Sequence, residues 1–281
     1  MMRINRLNSC DEIMIDLNGY FERIRYKGSA GATLETLMNI HRLHPKYIPF
    51  ENLNPLTGRK VSLKLEDVFD KLVTGYRGGY CFEHNTLFKA VLTQIGFTVN
   101  GLGGRVVWNI EPSVVTARTH MLLQIWLDGQ SYIADVGFGA MTLTAPLLFA
   151  PDIVQETQHG VFRILQKEKY YLLQVLQQQE WRPIYQFYSE ALEPIDYEVG
   201  NWYVSTHPDS HFTKQLIAAK VDDDGRYTLS NHVLNIRYDS GRKESVELHR
   251  MEDIIKTLKE VFGIRTDAID DLKESLTIID R

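Results

Sequence analysis

His120-Met-Leu-Leu-Gln-Ile-Trp-Leu-Asp-Gly-Gln-Ser-Tyr-Ile-Ala-Asp135 consists of two apolar runs joined by Asp128-Gly129. An Asp-Gly pair between such runs predicts a two-residue β-hairpin, because both central positions of that turn need positive φ. A tight turn also sets the register. If Leu127 pairs with Gln130, His120 falls opposite Gly137, and Asp135 lies two positions from that partner on the same face. Backbones on that diagonal are ~7–8 Å apart, within reach of an imidazole and a carboxylate. The hairpin therefore predicts a His120–Asp135 contact, which a slip of one residue would abolish.

Outward from the hairpin the chain has three textures. From Thr98 onward, short runs rich in Val, Ile, Leu and aromatics alternate with turn residues. Val106–Ile110, His120–Leu127, Ser131–Val136, Val161–Leu165, Tyr170–Val175 and Pro183–Tyr188 are strand candidates, so the middle third reads as an antiparallel sheet or barrel. The N-terminal third reads as helical. Ser9 and Glu12 form a capping box ahead of Ile13, Leu17, Phe21 and Ile24, which predicts a helix over about 10–25. Thr33 caps a second helix carrying Leu34, Leu37, Met38 and His41, expected to stop before Pro45. Leu65–Leu72 fits a third, and Gly75–Gly79 separates it from the apolar run Phe82–Ile95. Beyond about Tyr197 comes a mixed tail, with strands near Tyr227–Leu229 and Val233–Tyr238 and a closing helix around Met251–Phe262.

Composition narrows the function classes. With 44% hydrophobic and 24% charged residues, the 281-residue chain matches ordinary globular proteins. The net charge of −5, with basic residues scattered among acidic ones, argues against a nucleic-acid partner. No stretch approaches the ~20 apolar residues that span a bilayer, and the start Met-Met-Arg-Ile-Asn-Arg is no apolar signal, so a cytoplasmic protein without a membrane partner is expected. Cys10 and Cys81 are too few for a disulfide scaffold or a four-thiolate zinc site.

Cys81 nevertheless stands in an unusual setting, Tyr76-Arg-Gly-Gly-Tyr-Cys81-Phe-Glu-His-Asn85. It follows two glycines and opens an apolar stretch of helical length, which puts its sulfur at the positive end of a helix, where an anion is stabilised. A small buried hydrophobe is the commoner fate of a free cysteine. The hairpin changes the balance: a cysteine, a histidine and an orienting carboxylate make up an acyl-transfer constellation. In that reading Cys81 attacks a carbonyl, His120 moves the proton, and Asp135 fixes the imidazole tautomer. Cys81 and His84 also form a Cys-x-x-His pair, but no second pair accompanies it and no metal is expected. His44, His207 and His211 have no partner visible in sequence, so solvated or capping roles are expected for them.

From about Ile15 to Gly263 the chain resembles the arylamine N-acetyltransferases. The resemblance rests on Ile48-Pro-Phe-Glu-Asn-Leu53, Arg77-Gly-Gly-Tyr-Cys-Phe-Glu83, the segment ending at His120, Asp135-Val-Gly-Phe-Gly139 and Tyr203-Val-Ser-Thr-His-Pro-Asp-Ser-His-Phe212, in the family's order. It implies an α+β fold with a cysteine-protease-like core: an N-terminal helical bundle (1–97), a central antiparallel β-barrel (98–198) and a C-terminal α/β lid (199–281). It implies ping-pong transfer of an acetyl group from acetyl-CoA through Cys81 to an aromatic amine or hydrazine. Phe50, Val106 and Phe138 would line the acceptor pocket, Thr116, Ala117, Tyr203 and Asp209 would contact coenzyme A, and Arg77 with Glu51 would form an internal ion pair. The rivals are an amide synthase of the same fold, a thiol hydrolase, and a non-catalytic binding module. The physiological acceptor, acyl-chain preference and oligomeric state are not legible in the sequence.

Overall fold

The computed structural model describes residues 14–267, 269 and 272–276; Ser9, Cys10, Glu12 and Ile13 lie outside them. The first described helix, α1 (Leu17–Arg23), is capped by Asp16, whose carboxylate accepts the Gly19 N–H at 3.0 Å. Thr33 caps α2 (Leu34–Tyr47) as its sequence predicts. That helix does not stop before Pro45. The missing proline N–H costs only the bond to the His41 carbonyl, and the last turn is closed by Ile48 N–H donating to the His44 carbonyl. The short α3 (Leu53–Leu56) and α4 (Leu65–Phe69) follow, and α4 widens into a π-turn over Asp70–Thr74. The longest helix, α5 (Cys81–Ile95), ends at Gly96 in the left-handed conformation.

Three histidines, His41, His44 and His84, are sealed between α1, α2 and α5, although His44 was expected to be solvated or capping. The Pro49 carbonyl can only accept, so His84 donates to it through Nε2 (3.1 Å). His84 Nδ1 must then accept from His44 Nε2 (2.9 Å), and His44 Nδ1 from the Tyr20 hydroxyl (2.9 Å). One polarity thus runs through the whole chain of groups. His44 is buried because it lies on the same helical face as Leu37, Ile40 and His41. Burial pushes His41 down to about 3, His84 to about 4, and His44 well below its usual value. An unfolded chain takes up protons below about pH 6.5 that these rings refuse, so their contribution is complete above that pH and lost as pH falls through it. Each is expected to cost up to about 1.4 kcal/mol per pH unit. Urea denaturation between about pH 7 and pH 5 measures this, and a flat profile would contradict it.

Among the described residues the strands form two antiparallel sheets. The larger contains β2 (Thr98–Val106), β3 (His120–Leu127), β4 (Gln130–Ala134), β5 (Leu147–Leu148), β6 (Val154–Thr157), β7 (Gly160–Gln166), β8 (Tyr171–Gln177) and β9 (Glu180–Ala191), in the order β5-β4-β3-β2-β9-β8-β7-β6. It curls into a nearly closed barrel. The Gln155 side chain on β6 links its two edge strands by accepting from Leu148 N–H (2.7 Å) and donating to the Leu148 carbonyl (2.9 Å). The smaller sheet joins β1 (Phe50–Glu51) to β10 (Ile217–Asp222), β11 (Gly225–Ser230), β12 (Val233–Tyr238) and β13 (Lys243–Glu247). With α6 (Pro194–Thr206) and α7 (Met251–Glu260), β10 to β13 make up the C-terminal part, whose sheet takes its edge strand β1 from the N-terminal third.

Arg226 on β11 ties the two sheets together. Its buried guanidinium donates to the carbonyls of Ala140, Thr142 and His159.

The predicted hairpin is present. Leu127 pairs with Gln130 and Leu123 with Ala134, with Asp128 and Gly129 both at positive φ. Strand β3 is covered on both faces, which explains its unbroken apolar run. Leu122 enters the barrel core with Phe162, Ile184 and Phe187, while Met121, Leu123 and Ile125 join the helical core around α5. The hairpin is therefore clamped directly against the helix that begins at Cys81.

Candidate active site

Cys81 is the first residue of α5 and is 6% exposed. The turn before it is braced by Glu83, whose carboxylate accepts the Tyr80 N–H (3.1 Å) and pairs with Lys71 (2.6 Å). The expected Arg77–Glu51 pair is also present, at 2.7 Å. The thiol sulfur lies 3.7 Å from the Thr119 carbonyl, one residue before the hairpin begins.

His120 Nε2 donates to Asp135 Oδ2 at 2.8 Å, and both side chains are buried, 3% and 0% exposed. With Nε2 engaged, Nδ1 is the nitrogen left for Cys81, which lies close enough to the ring to favour its charged form. The structure thus brings Cys81, His120 and Asp135 together. Burial opposes a charge on His120, but Asp135 and Cys81 outweigh it and raise the imidazole to about 10. Burial would also raise Asp135, yet the His120 charge, the Gly137 N–H and the Asn85 amide hold it low. His120 therefore carries a proton across the neutral range, the counter-charge that a thiolate needs. Its stabilising contribution is complete below about pH 6.5 and is lost as pH rises toward 10, the reverse of the three buried neutral histidines.

Asp135 is held from several sides. Asn85 donates to its Oδ1 at 3.1 Å, and the Gly137 N–H does so at 3.0 Å. Its own N–H donates to His41 Nε2 at 3.2 Å. Gly137 is pressed against α5: a Cβ there would lie 2.8 Å from Cys81 Cα and 2.9 Å from His84 Cβ. Gly137→Ala must push the hairpin end away from the helix. A loss of about 1–3 kcal/mol is expected, with a larger fall in acylation rate than in amine affinity. Thermal denaturation and single-turnover kinetics check it, and unchanged acylation would contradict the close contact.

Aromatic side chains wall the site. The Phe138 ring stands edge-on to His120 with centroids 5.2 Å apart, and Phe50 packs on Gly139 and faces Phe212 at 6.0 Å. Val106 ends β2 opposite Tyr185 of β9. Tyr185, a residue the sequence did not single out, lies 4.8 Å from the His120 ring and 5.5 Å from Phe138. Its buried hydroxyl has no hydrogen-bond partner in the structure, and no local pattern distinguishes it from other strand tyrosines. Asn85 and Phe212 sit inside motifs already quoted, but their contacts arise only through the fold.

The four residues expected at coenzyme A fall into two groups. Thr116 and Ala117 lie on the loop leading to Thr119, with the Thr116 hydroxyl donating to the Val106 carbonyl (2.8 Å). Tyr203 stacks on His207 at 4.5 Å, and His207 Nδ1 accepts the Asp209 N–H (3.1 Å). Asp209 itself is exposed. His84 shares no metal-like arrangement with Cys81, since both its ring nitrogens are taken by His44 and Pro49.

In this α+β protein, a thiol at a helix start beside a histidine held by a buried carboxylate is an arrangement that suits thiol-based acyl transfer. A family model described as N-acetyltransferase matches residues 33–271. The arylamine N-acetyltransferase of Mycolicibacterium smegmatis is 41% identical over 254 residues, covering 89% of this chain and 92% of that protein. The arylamine N-acetyltransferase of Escherichia coli K12 is 39% identical over 266 residues, covering 93% and 92%. The structure of Mycobacterium marinum arylamine N-acetyltransferase in complex with CoA superposes with a TM-score of 0.91 at 39% identity, over 94% of this chain and 98% of that one. The chain belongs to the arylamine N-acetyltransferase family.

Proposed function

We propose that this protein transfers an acetyl group from acetyl-CoA to the nitrogen of arylamines or arylhydrazines in two half-reactions, through a thioester on Cys81. In the first, the Cys81 thiolate attacks the donor carbonyl. The tetrahedral adduct then collapses, the coenzyme A sulfur leaves, and it takes the proton held on His120. In the second, the amine attacks the Cys81 thioester and neutral His120 removes its proton. Cys81 departs as thiolate, restoring the starting pair.

Asp135 keeps Nε2 protonated, so that Nδ1 faces the sulfur throughout. An aromatic amine suits the second step because its nitrogen is unprotonated at neutral pH. Phe50, Val106 and Phe138 supply apolar walls for a planar ring, with Thr116, Ala117, Tyr203 and Asp209 on the donor side. Among the described residues no helix is long and apolar enough to cross a membrane. A free buried thiol suits a reducing compartment, which favours a cytoplasmic enzyme.

The observation that carries this reading is the 2.8 Å bond between His120 and the fully buried Asp135, beside the thiol at the start of α5. Initial rates with both substrates varied test it. Parallel double-reciprocal lines are expected. Coenzyme A release that continues past one equivalent per enzyme without amine would point to a hydrolase, and no reaction with acetyl-CoA would point to an amide synthase.

A further inference from the structure

The segment between β2 and β3 brings together two arginines that, among the described residues, no acidic group neutralises. Arg118 is exposed and lies over the Tyr188 ring, its guanidinium carbon 4.1 Å from the centroid. Arg105, on β2, donates to the Thr116 carbonyl. Arg105, two residues past Gly103 on the same strand face, and Arg118 together hold the Tyr188 phenol below its ordinary value. A neutral acid pulled toward its anion marks a place of positive potential. Among the described residues neither arginine meets a carboxylate. Two adjacent guanidiniums repel one another, and an anion between them relieves that cost.

Their position says which anion. Arg118 directly precedes Thr119, whose carbonyl lies 3.7 Å from Cys81 Sγ, and its Cδ is 3.0 Å from where a Gly103 Cβ would stand. Arg118 therefore stands one residue from the group that meets the nucleophile, with its side chain laid over Gly103 and Tyr188 on the barrel wall. Acetyl-CoA has that layout: its thioester must reach Cys81, while its phosphates lie at the far end of the pantetheine arm. We infer that Arg105 and Arg118, steadied by Tyr188, form a phosphate-binding site for the acyl donor. This rests on the acetyl-CoA reading above. The planar guanidinium fork matches a phosphate bidentately, which a lysine cannot reproduce. Contacts to a part of the donor remote from the reacting carbon are made equally in ground and transition states, so they set KM and not kcat.

The test compares the wild type with Arg118→Gln and Arg118→Lys, using acetyl-CoA, its 3′-dephospho analogue, and p-nitrophenyl acetate as a phosphate-free donor. Arg118→Gln is expected to raise the KM for acetyl-CoA about tenfold or more, with kcat and the p-nitrophenyl acetate rate unchanged. Arg118→Lys is expected to fall between the two. If the effect of Arg118→Gln disappears with the dephospho donor, the group held is the 3′-phosphate; if it persists, it is the diphosphate. An unchanged KM for acetyl-CoA, or an equal loss with both acetyl-CoA and p-nitrophenyl acetate, overturns the inference. Wild-type protein that uses p-nitrophenyl acetate but not acetyl-CoA would instead sink the donor reading itself.

Discussion

Asp135→Asn is expected to slow acetylation of Cys81 by about 10⁴-fold while leaving the fold intact. The reason is directional. Asp135 can only accept, so it keeps the proton on His120 Nε2 and leaves Nδ1 for the sulfur. An asparagine amide can present its NH2 to Nε2, which puts the ring proton on Nδ1 and turns the imidazole from a proton acceptor into a donor toward the thiol. It also removes the negative charge that raises His120 against the cost of burial. Rapid-quench measurement of coenzyme A release in the first turnover reads the effect, with circular dichroism as the check on folding. A loss under about tenfold would show that Asp135 does not orient His120 in the reaction.

Cys81→Ser is the second large effect. The hydroxyl is far less acidic than a thiol and is not ionised by a neighbouring imidazolium, so proton transfer to His120 no longer precedes attack. Acetyl transfer is expected to fall by about 10⁴-fold or more, toward the residual rate that binding and positioning alone provide. Amine affinity should stay within about twofold, because the aromatic walls formed by Phe50 and Phe138 do not depend on the sulfur. Equilibrium binding of an aromatic amine together with turnover separates the two. Full turnover in the serine variant would remove Cys81 from the chemistry.

The parts of this site that could be read in sequence are those set by local rules. An Asp-Gly turn carries its own register, so the His120–Asp135 contact follows from counting along two strands. The thiol at the start of a helix follows from Gly-Gly ahead of an apolar run. Where several elements converge, local rules fail. Strand β2 was expected at Val106–Ile110 but runs from Thr98 to Val106. Its Gly101, Gly103 and Gly104 lack the side chains that mark a strand, and they are glycines because other parts of the molecule fill the space beside them. A Cβ on Gly101 would meet the Tyr197 hydroxyl at 2.4 Å, and one on Gly103 would meet Leu192 at the same distance.

The Tyr20–His44–His84 chain was invisible for a related reason. Its members come from three helices, and each is an unremarkable residue within its own helix. The short α3 and the strands β10 and β13 were likewise missed; β10 is sandwiched between β11 and the remote β1, and β13 is a fully exposed edge strand with no apolar face to mark it.

The most direct test of the account is the intact mass of the purified, reduced protein after incubation with acetyl-CoA alone, followed by peptide mapping and then addition of an aromatic amine. The account predicts one added acetyl group, on Cys81, that is discharged when the amine arrives. No adduct and no free coenzyme A, or an adduct on another residue, would contradict it.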